Sequence, residues 1–402
     1  MFDFQAKPDS NLPSYTNEVY RRQADAWRYL DDVYEGDSAW TKLDGDGLKH
    51  STKRSRIYLP QEYGEEDYDY DYRLRMSIFI DKFGQSVRDF VGLIFNNGIR
   101  LTDVPGEVMA SWDDLDGNGL PGTKLAASLA ISALRRGHTF NLVDYPQHDS
   151  AVQSLRDFLA SGRHPIWTPI SPLQVLNWRT VSHGSRKRLA QVTIAVLQSQ
   201  PDGLYGEKTE VQYLTLVPGA WFKQRIIKPQ TPGEKPKVQL VGQGLMGRVV
   251  RGQVIPFDHI PLVCIYGGDR RGFFESSPTL KSLADLNVGH YQILSDHRQK
   301  MHRCCFPQAV RTGGNGEDLV LGPKTIVDVP LGGAFGWQSP ETSSLAMSRR
   351  EILDYESQMD FLGADYLVKP GDRQAAATTQ VQAAKIESEL YLFASDFVAG
   401  LN

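Results

Sequence analysis

Apolar side chains at Val19, Tyr20, Ala24, Trp27, Leu30 and Val33 recur every three or four positions through SYTNEVYRRQADAWRYLDDVYE, residues 14–35. That spacing gathers them on one side of a helix and predicts an amphipathic α-helix. The polar, glycine-containing stretch over 36–54 reads as loop. Helical spacing returns at Ile78, Phe79, Phe83, Val87, Phe90, Val91 and Ile94, with Gly98 as a C-terminal stop. A further helix is predicted from Thr123 to Arg136, ended by Gly137, and then a short strand, FNLVDYP, stopped by Pro146.

Between Pro165 and Pro261 the period changes. Short β-like runs (QVLNWRTV, AQVTIAVL, VQYLTLV, WFKQRII, KVQLVG, RVVRGQVIPF) alternate with turn-rich segments such as QPDGLYGE and KPQTPGEKP. A sheet of several antiparallel strands is the simplest arrangement. Helical character then resumes over 278–303, a run of roughly 38 Å at the usual rise per residue. Gly289 is its only glycine. A glycine-rich β and loop stretch follows, and two more helices, 343–366 and 375–399, flank VKPGDRQ. The fold class expected is α+β.

Composition narrows the function. Over 402 residues, 41% hydrophobic and 23% charged content predicts a folded chain with two or more packed regions. Lys and Arg total 44 against 48 acidic residues, a net charge of −4. Proteins that grip nucleic acid through phosphates carry a basic excess, so any DNA contact is expected to be weak, local or transient. Three cysteines, with Cys304 and Cys305 adjacent, argue against a disulfide framework and suit a reducing cytoplasm. No apolar run approaches the roughly 18 residues of a membrane span. The N-terminal MFDFQAKPDSN lacks the layout of a secretory signal. A soluble product assembled in a cytoplasm is the expectation.

The candidate chemistry is thin. Asp114-Leu115-Asp116-Gly117-Asn118-Gly119 opens like a calcium loop, yet Leu125 stands where the bidentate Glu belongs and Pro121 interrupts the second half. A surface turn leading into the next helix is the better reading. Five acids between Glu65 and Asp71 read as a solvated segment before a helix, where negative charge suits the helix dipole. His290, His297 and His302 share one helix at spacings that miss the i, i+4 zinc arrangement, which points to interface or partly buried roles. GxxxxGK[ST], GxSxG and HExxH are all absent, and Gly267-Gly268-Asp269-Arg270-Arg271-Gly272 lacks the spacing of a phosphate-cradling loop. No catalytic residue, metal or cofactor is expected.

Several segments, in collinear order, resemble a family of portal proteins of tailed bacteriophages, mainly one found among short-tailed and cyanobacterial viruses. They are Trp27 through Gly36 with Tyr58-Leu59-Pro60; Val91-Gly92-Leu93-Ile94-Phe95; and Asp114-Leu115-Asp116-Gly117 leading to Gly137 and Leu142-Val143-Asp144-Tyr145-Pro146. Further on come Val175-Leu176-Asn177-Trp178-Arg179; Ile260-Pro261-Leu262 with Tyr266-Gly267; and Ser277-Pro278-Thr279-Leu280 running into Leu283-Ala284-Asp285-Leu286-Asn287.

The resemblance implies a portal fold: a wing of helices and antiparallel sheet over 1–275, stem helices at 276–303 and 343–366, and a small α/β clip at 304–342 between them. It further implies a tunnel loop at 367–374 and a kinked wing helix over 375–402 leading to a short or missing crown. It implies a dodecameric ring at one capsid vertex, through which double-stranded DNA is packaged and ejected. Partners would be further copies of the chain, the terminase large subunit, a head-to-tail adaptor and the major capsid protein. Lys369, Asp372, Arg373 and Gln374 would line the channel, and Arg311 and Lys324 would meet adaptor or terminase. Near-balanced charge suits a conduit, since a uniformly basic ring would trap the duplex. Another structural virion protein, such as an adaptor, or a DNA-packaging enzyme are the alternatives.

Overall fold

The computed structural model describes residues 9–104, 106–144, 164–227, 229, 235–250, 253–304, 308–312, 331–338, 343–363 and 391–398. They build an α+β protein whose sheets are all antiparallel. The chain divides into two compact units. One holds the described residues of Met1–Asp31, Gln85–Lys281 and Lys369–Asn402; the other holds those of Asp32–Gly84 and Ser282–Val368.

In the first unit, helix α1 (Glu18–Glu35) begins at the residue after Asn17. The Asn17 carboxamide oxygen accepts the Tyr20 N–H at 2.8 Å, satisfying one of the donors a helix start leaves open. The apolar face of α1 (Tyr20, Ala24, Trp27) is buried on Leu176, Ala195 and Tyr213. Those three belong to a five-stranded meander of β5 (Val175–His183), β6 (Arg186–Asp202), β7 (Gly206–Val217), β8 (Ala220–Ile227) and β9 (Lys237–Leu245). Side chains alternate across a strand, so Val175, Val192, Ile194 and Leu216 lie on the opposite face. There they join Phe140, Leu142, Ile260, Leu262 and Phe274 in a second core. All five runs read as strands over 174–242 fall within this sheet, except Gln174, which lies in the turn before β5. The strands extend beyond the runs because their ends are exposed and carry no apolar signal; in β6 only 192–195 are buried.

A three-stranded sheet places β3 (His138–Asp144) between β4 (Ile166–Ile170) and β12 (Leu262–Tyr266). After the short helix α5 (Gly106–Ser111), helix α6 (Gly122–Arg136) runs into β3 through Gly137, whose φ of +88° is left-handed backbone. A Cβ there would also lie 2.6 Å from Ser276 Oγ, so glycine is required twice over. Two small hairpins, β10 (Gly247–Val250) with β11 (Gln253–Pro256) and β13 (Asp269–Gly272) with β14 (Glu275–Ser277), add to the β structure among the described residues of this unit.

In the second unit, the stretch read as loop contains a short hairpin, β1 (Lys42–Leu43) with β2 (Lys49–His50). Helices α2 (Ser55–Tyr58) and α3 (Asp67–Met76) follow. Trp40 is the centre of an aromatic core, stacked on Tyr58 at 4.3 Å between centroids and met edge-on by Phe79 at 5.2 Å. Tyr291 closes it at 5.9 Å. The helix read from Ile78 onward, α4 (Lys82–Phe95), starts four residues later than its apolar pattern. Phe79 is drawn into the aromatic core instead, and Ile78 is exposed. Asp81 accepts the Gly84 N–H at 2.7 Å as the cap of α4.

The acidic run departs from the solvated segment expected. Asp67 and Asp69 do sit in the first turn of α3, where the dipole favours them. Glu65 turns inward. Arg73 donates to both of its carboxylate oxygens at 2.8 Å, the two side chains being 4% and 5% exposed. The bidentate geometry and burial make this ion pair a structural anchor rather than a surface charge.

Candidate functional site

Two long helices dominate the second unit: α7 (Lys281–Cys304) and, after an insert, α8 (Ser343–Leu362). Lys82, the first residue of α4, pairs with Asp360 of α8 at 3.2 Å. The register of the two long helices follows from two approaches between them. His290 of α7 lies 3.5 Å from Glu356 of α8, and His297 meets Ser348 at 3.1 Å. Positions rise along α7 as they fall along α8, so the helices are antiparallel. Tyr355 packs over Gly289, where a Cβ would stand 2.8 Å from its ring. Ser348, Ile352 and Met359 form the buried stripe of α8 at helical spacing.

Asn287 ties α7 to the start of α4. Its side-chain oxygen accepts the N–H groups of Lys82 (3.0 Å) and Phe83 (2.9 Å), while its amide donates to the Ile80 carbonyl at 2.8 Å. The three histidines serve three separate ends. His290 is fully buried, and burial holds its pKa below the ordinary value against the opposing pull of Glu356. His297 bonds Ser348, and His302 bonds the Tyr72 hydroxyl at 2.8 Å. They do not converge on a point.

Between the helices, β15 (Gln308–Thr312) pairs with β16 (Ala334–Gln338) in an antiparallel hairpin. Arg311 sits opposite Phe335 in its register, and strand alternation puts Trp337 on the same face. The Phe335 and Trp337 rings lie 6.1 Å apart, and Trp337 is 61% exposed. A cation beside two aromatic rings on a solvent-facing hairpin is suited to partner recognition. Lys324 and the channel candidates Lys369, Asp372, Arg373 and Gln374 lie outside the described residues.

The calcium-like loop is an ordinary turn network. Asp116 accepts the N–H groups of Asn118 (2.9 Å) and Leu120 (3.0 Å), which hold its pKa below the usual carboxylate value. Asp114 accepts the Gly119 N–H at 2.7 Å. Gly267 and Gly268 serve packing, since a Cβ at either would fall within 2.4 Å of the Ala133 backbone or 2.2 Å of the Ser277 carbonyl. Among the described residues no group of three or more His, Cys, Asp or Glu side chains is placed to hold a metal ion. Among them, too, no helix is long and apolar enough to cross a membrane.

Residues 279–402 match the model of a family described as a domain of unknown function, DUF4055. The match covers α7, the insert, α8 and the residues beyond. No curated protein matches the chain. Among solved structures, a chain from the virion of a native gene transfer agent particle aligns over 84% of this chain and 83% of its own, at 11% identity. Its TM-score of 0.35 is too low for that likeness to bear on fold or role.

The residues that organise this site were not all visible as motifs. Asn287 reads as one polar residue in a helix, and its bonding depends on a segment two hundred positions earlier. Trp337 and Phe335 lie two apart in AFGWQ, the spacing of one strand face, but the glycines before and between them hide the signal.

Proposed function

We propose that the chain is a subunit of the portal ring of a tailed bacteriophage, the channel at one capsid vertex through which double-stranded DNA is packaged and ejected. One observation carries the reading: α7, the β15–β16 hairpin and antiparallel α8 follow one another where the collinear resemblance assigns first stem helix, clip and second stem helix. In this reading residues 1–275 supply the wing and 367–374 the tunnel loop, which sets Lys369 and Arg373, with Asp372 and Gln374, around the bore. Arg311 and Lys324, joined by Trp337, form the clip surface that meets the terminase large subunit and later the adaptor. The ring also meets the major capsid protein, and the subunit itself is not an enzyme and uses no cofactor.

Negative-stain microscopy of the purified chain tests this. Dodecameric rings with a central channel are expected, and monomers under every assembly condition would sink the reading. A head-to-tail adaptor or other virion protein is the competing structural role, which the insert between two long helices disfavours. ATP hydrolysis or DNA cleavage that is lost on a point substitution would establish a packaging enzyme instead.

A further inference from the structure

The first unit contains a cavity of about 480 Å³ with a divided character. Its floor is apolar: Leu262 and Phe274 are buried members of the sheet core, and Phe273 packs against them. Its rim is cationic, formed by Lys187, Arg188 and Arg270. The Arg270 guanidinium is held over the Tyr266 ring at 4.7 Å, which fixes it at the mouth. Asp258, 3.7 Å from Arg188, is the carboxylate on the rim, so positive charge prevails. An occupant of matching chemistry carries an aromatic group for the floor and carboxylates for the rim.

The same chain displays that chemistry elsewhere. Tyr63 stands at the tip of a β-turn closed by the Glu65 N–H donating to the Glu62 carbonyl at 3.1 Å, with Gly64 at a φ of +78°. Its side chain is wholly exposed, at 108%. Glu62, Glu66 and Asp67 around it are exposed as well. The turn is rigid, because the Glu65 carboxylate held by Arg73 also accepts the Glu62 N–H at 3.0 Å. A preorganised aromatic knob loses little freedom on binding.

We infer that the cavity receives Tyr63 of a second copy of this chain, with Glu62, Glu66 and Asp67 of that copy pairing with Lys187, Arg188 and Arg270. Knob and cavity use different residues, so the contact is head-to-tail and propagates until rotation closes it. It rests on the ring reading above for that closure. Nucleic-acid phosphate would satisfy the cationic rim but has no use for an apolar floor, which favours the tyrosine.

Charge reversal with rescue tests the contact. Arg188→Glu with Arg270→Glu, and separately Glu66→Lys with Asp67→Lys, are expected to weaken assembly at least tenfold in sedimentation velocity, with unchanged circular dichroism. The chain carrying all four substitutions is expected to assemble again. Under mild oxidation, Glu66→Cys with Arg188→Cys is expected to link copies into a ladder at multiples of the chain mass, which neither single substitution gives. Unaltered assembly of the reversed chains, or no recovery in the fourfold variant, overturns the contact while leaving the ring reading in place. Normal assembly with reduced binding of double-stranded DNA would identify phosphate as the occupant and also overturn it. If the wild-type chain forms no ring, the ring reading fails, and the cross-link at high concentration still decides whether knob and cavity meet.

Discussion

Two buried polar side chains show how single residues hold this fold. Asn287 makes three hydrogen bonds that start α4, and a buried donor or acceptor left without a partner costs more than a formed bond contributes. Asn287→Ala is expected to destabilise the protein by about 2–4 kcal/mol, read from the midpoint of urea unfolding. His138 lies edge-on to Trp27 at 5.3 Å and Phe140 at 5.2 Å, with Ser276 Oγ 2.8 Å from its Nδ1. Burial first, and the nearby Arg136 charge second, push its pKa down to about 3. In the unfolded chain a histidine takes up a proton near pH 6.5, so the unfolded state binds more protons between these values. Stability therefore falls as pH drops through that window, by roughly 2 kcal/mol between pH 7 and 5 from this residue alone. Urea midpoints measured against pH check the slope, and His138→Phe is expected to flatten it in part, because buried His290 contributes with the same sign.

At the level of elements, the crossing of α7 and α8 depends on the absence of a side chain. Glycine inside a helix costs about 1 kcal/mol relative to alanine, so its place at 289 reflects the approach of Tyr355. Gly289→Val is expected to destabilise the pair by about 1–3 kcal/mol, and Tyr355→Ala in the same chain to recover part of that loss in a double-mutant cycle. The β15–β16 hairpin carries a second prediction: Trp337→Ala leaves folding intact, since the ring is largely exposed, and, on the proposed portal role, weakens capture of an adaptor in a pull-down from assembled particles. Elements with one buried face were legible in the sequence. Helix α1 and the centres of β5–β7 follow their apolar spacing because burial there is one-sided or strictly alternating. The start of α4 was not, because Phe79 packs into an aromatic core as extended chain. Nor was the inward turn of Glu65, whose partner Arg73 is eight positions on and looks like any surface cation. Of the candidate site, the helix–insert–helix order could be read from periodicity, whereas the aromatic companions of Arg311 required the strand register.

For the whole molecule, a net charge of −4 fits the proposed role of a conduit that must release what it carries. Double-stranded DNA is expected to bind the assembled protein no tighter than roughly micromolar at physiological salt, with affinity falling steeply as salt rises, which filter binding measures. Lys369→Ala with Arg373→Ala is expected to leave rings intact in the microscope while altering packaging or retention of DNA; loss of folding would remove those residues from a loop. The division into units has a consequence for how such a chain is made. Each unit is assembled from separated stretches, and the second draws on residues from Asp32 to Val368. A ribosome adds roughly 5–20 residues per second, so the early stretch waits on the order of tens of seconds for its partners to emerge. Throughout that interval Trp40, Tyr58 and Phe79 lack the Tyr291 side that completes their core. A fragment ending before Ser282 would therefore leave those rings exposed, because it lacks every residue of the second unit beyond Gly84.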